Sequence, residues 1–212
     1  MTQGLSPRAA WRVLREGNER FVSGESIHPS QGIEDRERLV GGQHPHVVLF
    51  GCGDSRLAAE IIFDQGVGDM FVVRTAGHVI DSAVLGSLEY GPVELDVPLI
   101  VILGHDNCGA ISATLSALDD LQLPTGYIRE VVEKVAPSIL AGRGEGLTRV
   151  DEFEARHVVE TGRILMQRSR IISDRVNSGK LAIVGLTYNL DQGKIHVRGV
   201  FGDIGEVTIE PM

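Results

Sequence analysis

The sequence predicts an α/β fold: a central, mostly parallel β-sheet with an antiparallel edge strand, flanked by helices. Three observations carry this expectation. Four short apolar runs, Val47–Phe50, Met70–Val73, Leu99–Leu103 and Leu181–Leu186, are continuous rather than alternating, as in strands covered on both faces. Helical stretches lie between them, at roughly 57–65, 79–90, 109–118, 126–141 and 150–176, and strands that alternate with helices build parallel sheets. After the fourth run, Asp191-Gln192-Gly193 reads as a turn. Ile195–Val200 then alternates Ile, Val and Val with His196, Arg198 and Gly199, the pattern of an edge strand.

The remaining elements follow in order. Ser6-Pro7 is a helix start, with serine as the cap and proline at the first helical position. Ala10, Val13, Leu14, Gly17 and Phe21 recur at helical spacing, so residues 7–22 form an amphipathic helix. Residues 24–45 are polar and punctuated by Gly and Pro, a loop with a short helix near Glu34–Leu39. Residues 142–149, glycine-rich and charged, read as a surface loop, and 119–125 as irregular. We expect one domain over 1–212, with a helix and arm (1–45) leading into an α/β core (46–212).

Composition narrows the function classes. The chain is 42% hydrophobic and 23% charged, ordinary for a globular protein, with a formal net charge of −9. That balance argues against nucleic acid, whose binders cluster Lys and Arg, and against anionic membrane surfaces. No run approaches the ~18 apolar residues of a membrane span. The first residues lack a charged stretch followed by an apolar one, so a cytoplasmic protein is expected. There are two cysteines, Cys52 and Cys108, and in such a compartment they are core residues or ligands rather than a disulfide.

Their positions favour ligands. In open α/β sheets, ligands gather beyond the carboxyl ends of the strands. Gly51-Cys52-Gly53-Asp54-Ser55-Arg56 follows the first strand, and Gly104-His105-Asp106-Asn107-Cys108 follows the third. Two thiols, an imidazole and a carboxylate therefore meet at one sheet edge, a donor set that suits zinc. Cys108 precedes a helix whose N-terminus favours its thiolate. With Asp54 as fourth ligand the metal sphere would be closed and structural. With Asp54 held bidentately by Arg56, the fourth position is open and the carboxylate can accept a hydrogen bond from coordinated water. Asp106 is a candidate to orient the His105 ring, or else a solvated loop residue. The other histidines lack paired ligand spacing, apart from His44-Pro45-His46 in a loop, and no G-x-G-x-x-G supports a nucleotide site.

Cys52-x-Asp54-x-Arg56 followed by His105-x-x-Cys108 resembles the signature of β-class carbonic anhydrases. The likeness extends through Glu60, Phe71-Val72-Val73-Arg74, Glu89-Tyr90 and the GHDNCGA segment. The resemblance implies reversible hydration of carbon dioxide to bicarbonate by zinc hydroxide. It implies zinc on Cys52, His105 and Cys108, gated by an Asp54–Arg56 dyad, and substrate contacts from Gln43, Phe71, Tyr90 and the Gly109 amide. It also implies a homodimer or homotetramer with sites near the subunit interface and Tyr90 lent by a neighbour. The apolar surface of the first helix, which carries Trp11 and Phe21, would then pack on a partner subunit. Gly53 stands where many relatives have Ser or Ala. Leu49 stands where the bicarbonate-inhibited subgroup has a tryptophan, although Arg74 and Tyr188 of that subgroup's regulatory pocket are both present. The rival readings are a carbon disulfide or carbonyl sulfide hydrolase with the same ligands, and a non-catalytic zinc-stabilised binding protein with Asp54 permanently on the metal.

Overall fold

Five strands line up in one sheet in the computed structural model, which describes residues 4–212. They are β1 (Val47–Cys52), β2 (Met70–Thr75), β3 (Leu99–His105), β4 (Ala182–Tyr188) and β5 (Ile195–Phe201), in the order β2-β1-β3-β4-β5. The first four pair in parallel and β5 pairs antiparallel with β4, as the sequence pattern requires. The helices are α1 (Pro7–Ser23), α2 (Ile33–Leu39), α3 (Ala59–Ile62), α4 (Ser82–Glu94), α5 (Gly109–Asp119), α6 (Ile128–Gly144), α7 (Val150–Arg168) and α8 (Arg170–Asn177). A 3₁₀ turn, Ala76–His78, follows β2.

The continuous apolar runs are explained by burial on both faces. Val47, Leu49, Val101, Leu103, Val184 and Leu186 pack with Leu14, Phe63, Ile111 and Phe153 on one side. Val48, Phe50, Ile100, Ile102 and Ile183 pack with Leu88, Val158, Leu165 and Ile172 on the other. None of the helices is long and apolar enough to cross a membrane among the described residues.

Several boundaries differ from the sequence expectation. β1 and β3 each run past their apolar stretch, so Cys52 and His105 are the last strand residues rather than residues beyond it. The expected 150–176 helix breaks at Ser169, whose backbone is extended at φ −106° and ψ 105°. That buried hydroxyl donates to Glu89 Oε1 at 2.6 Å and accepts from the Ile172 amide at 3.1 Å, so a tertiary contact to α4 starts a new helix. Helix α6 extends to Gly144, because Gly142 lets it lie against Phe153, where a Cβ would come within 2.9 Å of the ring.

Helix α1 docks on its own chain. Ser6 caps it, accepting from the Ala9 amide at 3.2 Å. Ala10, Trp11 and Leu14 are buried, and Phe21 packs against the same core. Asn18 stitches the helix down by donating to the carbonyls of Ile62 and Gly193 at 3.1 and 2.9 Å and accepting from Ile195 N at 3.2 Å. Of the two residues that suggested a partner subunit, Trp11 is thus buried within the chain and Phe21 is partly buried there. An apolar stretch that the single chain leaves only partly buried is β2, an edge strand reading Met70-Phe71-Val72-Val73.

Close approach of α1 to α3 rests on Gly17, where a Cβ would stand 1.9 Å from the Phe63 carbonyl oxygen. Gly17→Ala should therefore destabilise the fold by about 2 kcal/mol or more, since backbone must move to admit the methyl group. Gly86→Ala, on the exposed side of α4 with nothing within 4 Å, should stabilise by roughly 0.5–1 kcal/mol. Urea unfolding of the pair checks both signs, and equal midpoints would refute the docking argument.

Candidate metal centre

Parallel pairing sets Gly51 of β1 level with Leu103 of β3, so the carboxyl ends of the two strands emerge side by side. Cys52 closes one strand and His105 the other, and Cys108 caps α5 at φ −70° and ψ 120°. Asn107, at φ +53°, makes the reversal that returns the chain to this edge, a conformation asparagine tolerates better than most residues. One ligand atom from each of Cys52, His105 and Cys108 lies within 4.8 Å of the other two, and all three residues are buried.

The donor orientations suit a cation. His105 Nδ1 lies 2.8 Å from the backbone carbonyl of Asp106, which assigns the ring proton to Nδ1 and leaves the Nε2 lone pair free. That Nε2 is buried and has no hydrogen-bond partner. A buried unpaired acceptor beside two thiols is costly unless something fills the gap, and a metal ion would do so. The Cys52 thiol is pushed down by the hydrogen bond from Cys108, while Cys108 is pushed up by that same bond, so in the bare pair one sulfur ionises at the other's expense. The Gly77 amide also donates to Cys52 Sγ at 3.4 Å.

Asp54 stands beside this cluster, turned toward Arg56. Its Oδ1 accepts from Arg56 N and Nε, both at 2.9 Å, and its Oδ2 accepts from the terminal Arg56 nitrogen at 2.7 Å. This fork holds the Asp54 carboxyl well below the usual carboxylate range. Oδ2 remains 3.8 Å from His105 Nε2. Arg74 ties the loop to the strand by donating to the carbonyl oxygens of Cys52 and Asp54.

The remaining candidates fall in different places. Gly109 begins α5 beside Cys108, where the first helical amides have no intrahelical acceptor. Phe71 and Tyr90 stack at 5.8 Å, yet Phe71 pairs with Val48, four positions before the Cys52–Thr75 pair. It is therefore about 13 Å along the sheet from the cluster. Gln43 is exposed in the loop before β1, at the opposite end of that strand from Cys52. Within one chain, these three residues do not meet the cluster. Asp106 orients His105 through its backbone carbonyl, because its carboxylate is spent on Asn189 Nδ2 and Leu190 N at 3.0 and 3.1 Å.

Glu154, on α7, was not a candidate. It is buried, accepts from the His105 amide through Oε1 at 3.2 Å, and has its carboxyl pushed up to about 7 by burial. Gly104 makes room for it, since a Cβ there would stand 2.3 Å from Oε1. A glycine inside a strand marks such close approach, and Gly104 is the signal that could have pointed to it.

Comparison with known proteins agrees with this geometry. A family model described as carbonic anhydrase matches residues 47–195. Carbonic anhydrase 2 of Mycobacterium tuberculosis is 64% identical over 201 residues, covering 95% of this chain and 97% of that one. The carbonic anhydrase of Mycolicibacterium smegmatis is 61% identical over 202 residues, covering 95% and 98%. Among solved structures, the β-carbonic anhydrase CcaA matches with a TM-score of 0.69 at 27% identity, covering 89% of this chain and 95% of that one. With its Cys-His-Cys cluster at the carboxyl edge of a mostly parallel sheet, the chain belongs to the carbonic anhydrase family of enzymes, in its β class.

Proposed function

We propose that the protein is a zinc-dependent carbonic anhydrase that converts carbon dioxide and water reversibly to bicarbonate and a proton. The observation that carries this reading is the pairing of a buried two-thiol, one-imidazole cluster with a carboxylate drawn aside by its own arginine. Two thiolates and a neutral imidazole match zinc in charge and softness, and the neutral imidazole presents Nε2 to the ion. When bound, zinc supplies a Lewis acid that acidifies water and makes it a nucleophile toward carbon dioxide.

The chain's own residues do the rest. Cys52, His105 and Cys108 would hold the zinc, and the Asp54 carboxylate lies beside them. Asp54 Oδ2, near His105 Nε2, is placed to accept a hydrogen bond from a water on that side and so to orient it. Arg56 keeps the carboxylate charged and engages both of its oxygens, which would compete with its ligation of the metal, whereas a purely structural site would use Asp54 as its fourth ligand. The Gly109 amide offers a donor to a substrate oxygen. Two free, buried thiols that must stay reduced to hold a metal support a cytoplasmic location.

Phe71, Tyr90 and Gln43 enter this reading through assembly. The apolar edge of β2 is a surface that proteins usually pair or cover. Two copies joined antiparallel along it, about a two-fold axis, would set the amino end of one β2 beside the carboxyl end of the other. Phe71 and Tyr90 of each subunit would then wall the partner's site, with Gln43 on the same side. The proposed unit is therefore a homodimer, or a tetramer made of two such dimers.

Extensively dialysed protein should retain about one zinc per chain, and Cys108→Ser should lower that sharply. Protein that keeps full activity without zinc would end this reading. The same metal-quantified sample, assayed with carbon dioxide, carbon disulfide and carbonyl sulfide, separates the proposed reaction from its sulfur analogues.

The hydration rate should rise sigmoidally with pH, with a midpoint above the ~7 of the most acidic zinc-bound waters, because thiolates donate more charge than imidazoles. Asp54 does not set this midpoint. Its folded pKa is depressed, so the Asp54–Arg56 pair contributes stability above the unfolded carboxylate range and loses it only as pH falls through a lower value. Arg56→Ala should release Asp54 onto the metal and depress activity even at high pH. Asp54→Ala should keep zinc yet lose on the order of 100-fold in rate. Cobalt-substituted spectra at about pH 6 and about pH 9 decide the matter: Asp54 on the metal in an active sample at the higher pH would sink the dyad mechanism.

Light scattering should give a dimer or tetramer. A stable, fully active monomer near 22.9 kDa would contradict the assembly.

A further inference from the structure

We propose that His157 is a positioning residue for the metal centre: with Ser138 it grips the Gly77 carbonyl and so aims the Gly77 amide at the Cys52 sulfur. The links form one continuous chain. Ser138 Oγ lies 2.8 Å from His157 Nδ1, His157 Nε2 lies 3.0 Å from Gly77 O, and Gly77 N donates to Cys52 Sγ at 3.4 Å. The carbonyl can only accept, so Nε2 carries the ring proton and Nδ1 accepts from the serine hydroxyl. Ser138, His157 and Gly77 are all buried, so no solvent competes for these bonds.

The turn that carries Gly77 needs such a grip. Gly77 sits at φ +61°, and the next residue, His78, is also left-handed at φ +40°. Two consecutive left-handed residues, the second with a Cβ, are a strained arrangement that persists only where its surroundings impose it. His78 contributes no hydrogen bond to hold the turn, since both of its ring nitrogens are buried without partners. Its ring instead lies 4.5 Å from that of His157. On the other side the turn is pressed against α5, with Gly77 so close to Ala110 that a Cβ would approach within 2.7 Å. Thr75 Oγ1 closes the turn by donating to the Val79 carbonyl at 3.0 Å, and His157 is the polar anchor on the Gly77 carbonyl itself, in a turn wedged between the two cysteine-bearing segments.

The consequence is electronic. An N–H donor on a thiolate draws off charge that the sulfur would otherwise give to the metal. Releasing the Gly77 carbonyl lets the turn relax, weakens the bond to sulfur, and makes Cys52 a stronger but less well-oriented donor.

This inference rests on the metal reading above, and the test separates the two. Wild-type protein, His157→Leu, His157→Gln and Ser138→Ala are loaded with cobalt(II). The thiolate-to-cobalt absorption band is recorded, and metal retention is measured by competition with a chromophoric chelator. Folding is followed by circular dichroism. His157→Leu keeps bulk but removes the donor, and should shift the band to longer wavelength and weaken retention about ten-fold. His157→Gln, whose side-chain amide can still donate to Gly77 O, should restore much of both. Ser138→Ala should move them in the direction of the leucine variant, but less. A folded His157→Leu protein with the wild-type band and retention would overturn the proposal. If that variant does not fold, an unchanged band and retention in Ser138→Ala overturns it instead. Wild-type protein that fails to bind cobalt would remove the metal reading itself.

Discussion

Parallel pairing of β1 with β3 is the constraint on which the centre depends. Because side-by-side parallel strands finish at the same edge, Cys52 and His105 arrive there together, although they are far apart in sequence. Everything else at the site is a way of leaving that edge. The 53–57 loop carries Asp54 and Arg56 back across the strand ends, where Arg74 from β2 fastens it. The left-handed Asn107 returns the other chain segment to start α5 at Cys108. The soft ligands then sit in a poorly hydrated place, with Cys108 and His105 fully buried and Cys52 5% exposed. Such groups are costly unless they are paired or hold an ion.

Charge accounts for the neighbours. A dication with two thiolates and a neutral imidazole sums to zero, so any further charge nearby needs its own partner. Asp54 has one in Arg56. Glu154 has none at its Oε2, and burial pushes its carboxyl up to about 7. His157 behaves in the mirror-image way, pushed down to about 4 by burial, and so stays neutral. Burial thus disfavours charge on both groups behind the cluster, whereas Asp54, beside it, is held ionised by its own arginine.

The strand core was legible because burial on both faces leaves an unbroken apolar run in the sequence. The strand ends were not, since the ladder continues through Gly51-Cys52 and Gly104-His105 after the apolar run has stopped. The convergence of Cys52, His105 and Cys108 and the Asp54–Arg56 pair were readable from spacing at strand ends. What depended on tertiary contacts was not readable. Ser169 looks like an ordinary helical residue until Glu89 reaches it. Gly142 looks like a loop residue until Phe153 packs against it. Glu154 and His157 read as part of a charged helix, yet α7 is wedged so deeply that Phe153 to Val159 are all buried. Asp106 was identified as a residue but not by the atom that acts, because sequence does not distinguish a carboxylate from a carbonyl.

The separation of Phe71 and Tyr90 from the cluster gives the fold a further consequence. In a parallel sheet all carboxyl ends share one edge, so residues at the amino ends can never reach a site there within their own chain. A wall built from such residues must come from another copy, and only an antiparallel arrangement of edges supplies it. Among the strands, β2 is both an outer strand and continuously apolar over Met70–Val73, and it also carries Arg74, which fastens the Asp54 loop. On the proposed pairing, the strand that joins the subunits is the one that steadies the catalytic loop. Assembly and the orientation of Asp54 would then share a single structural element, and loss of the interface would disturb the site from both sides at once.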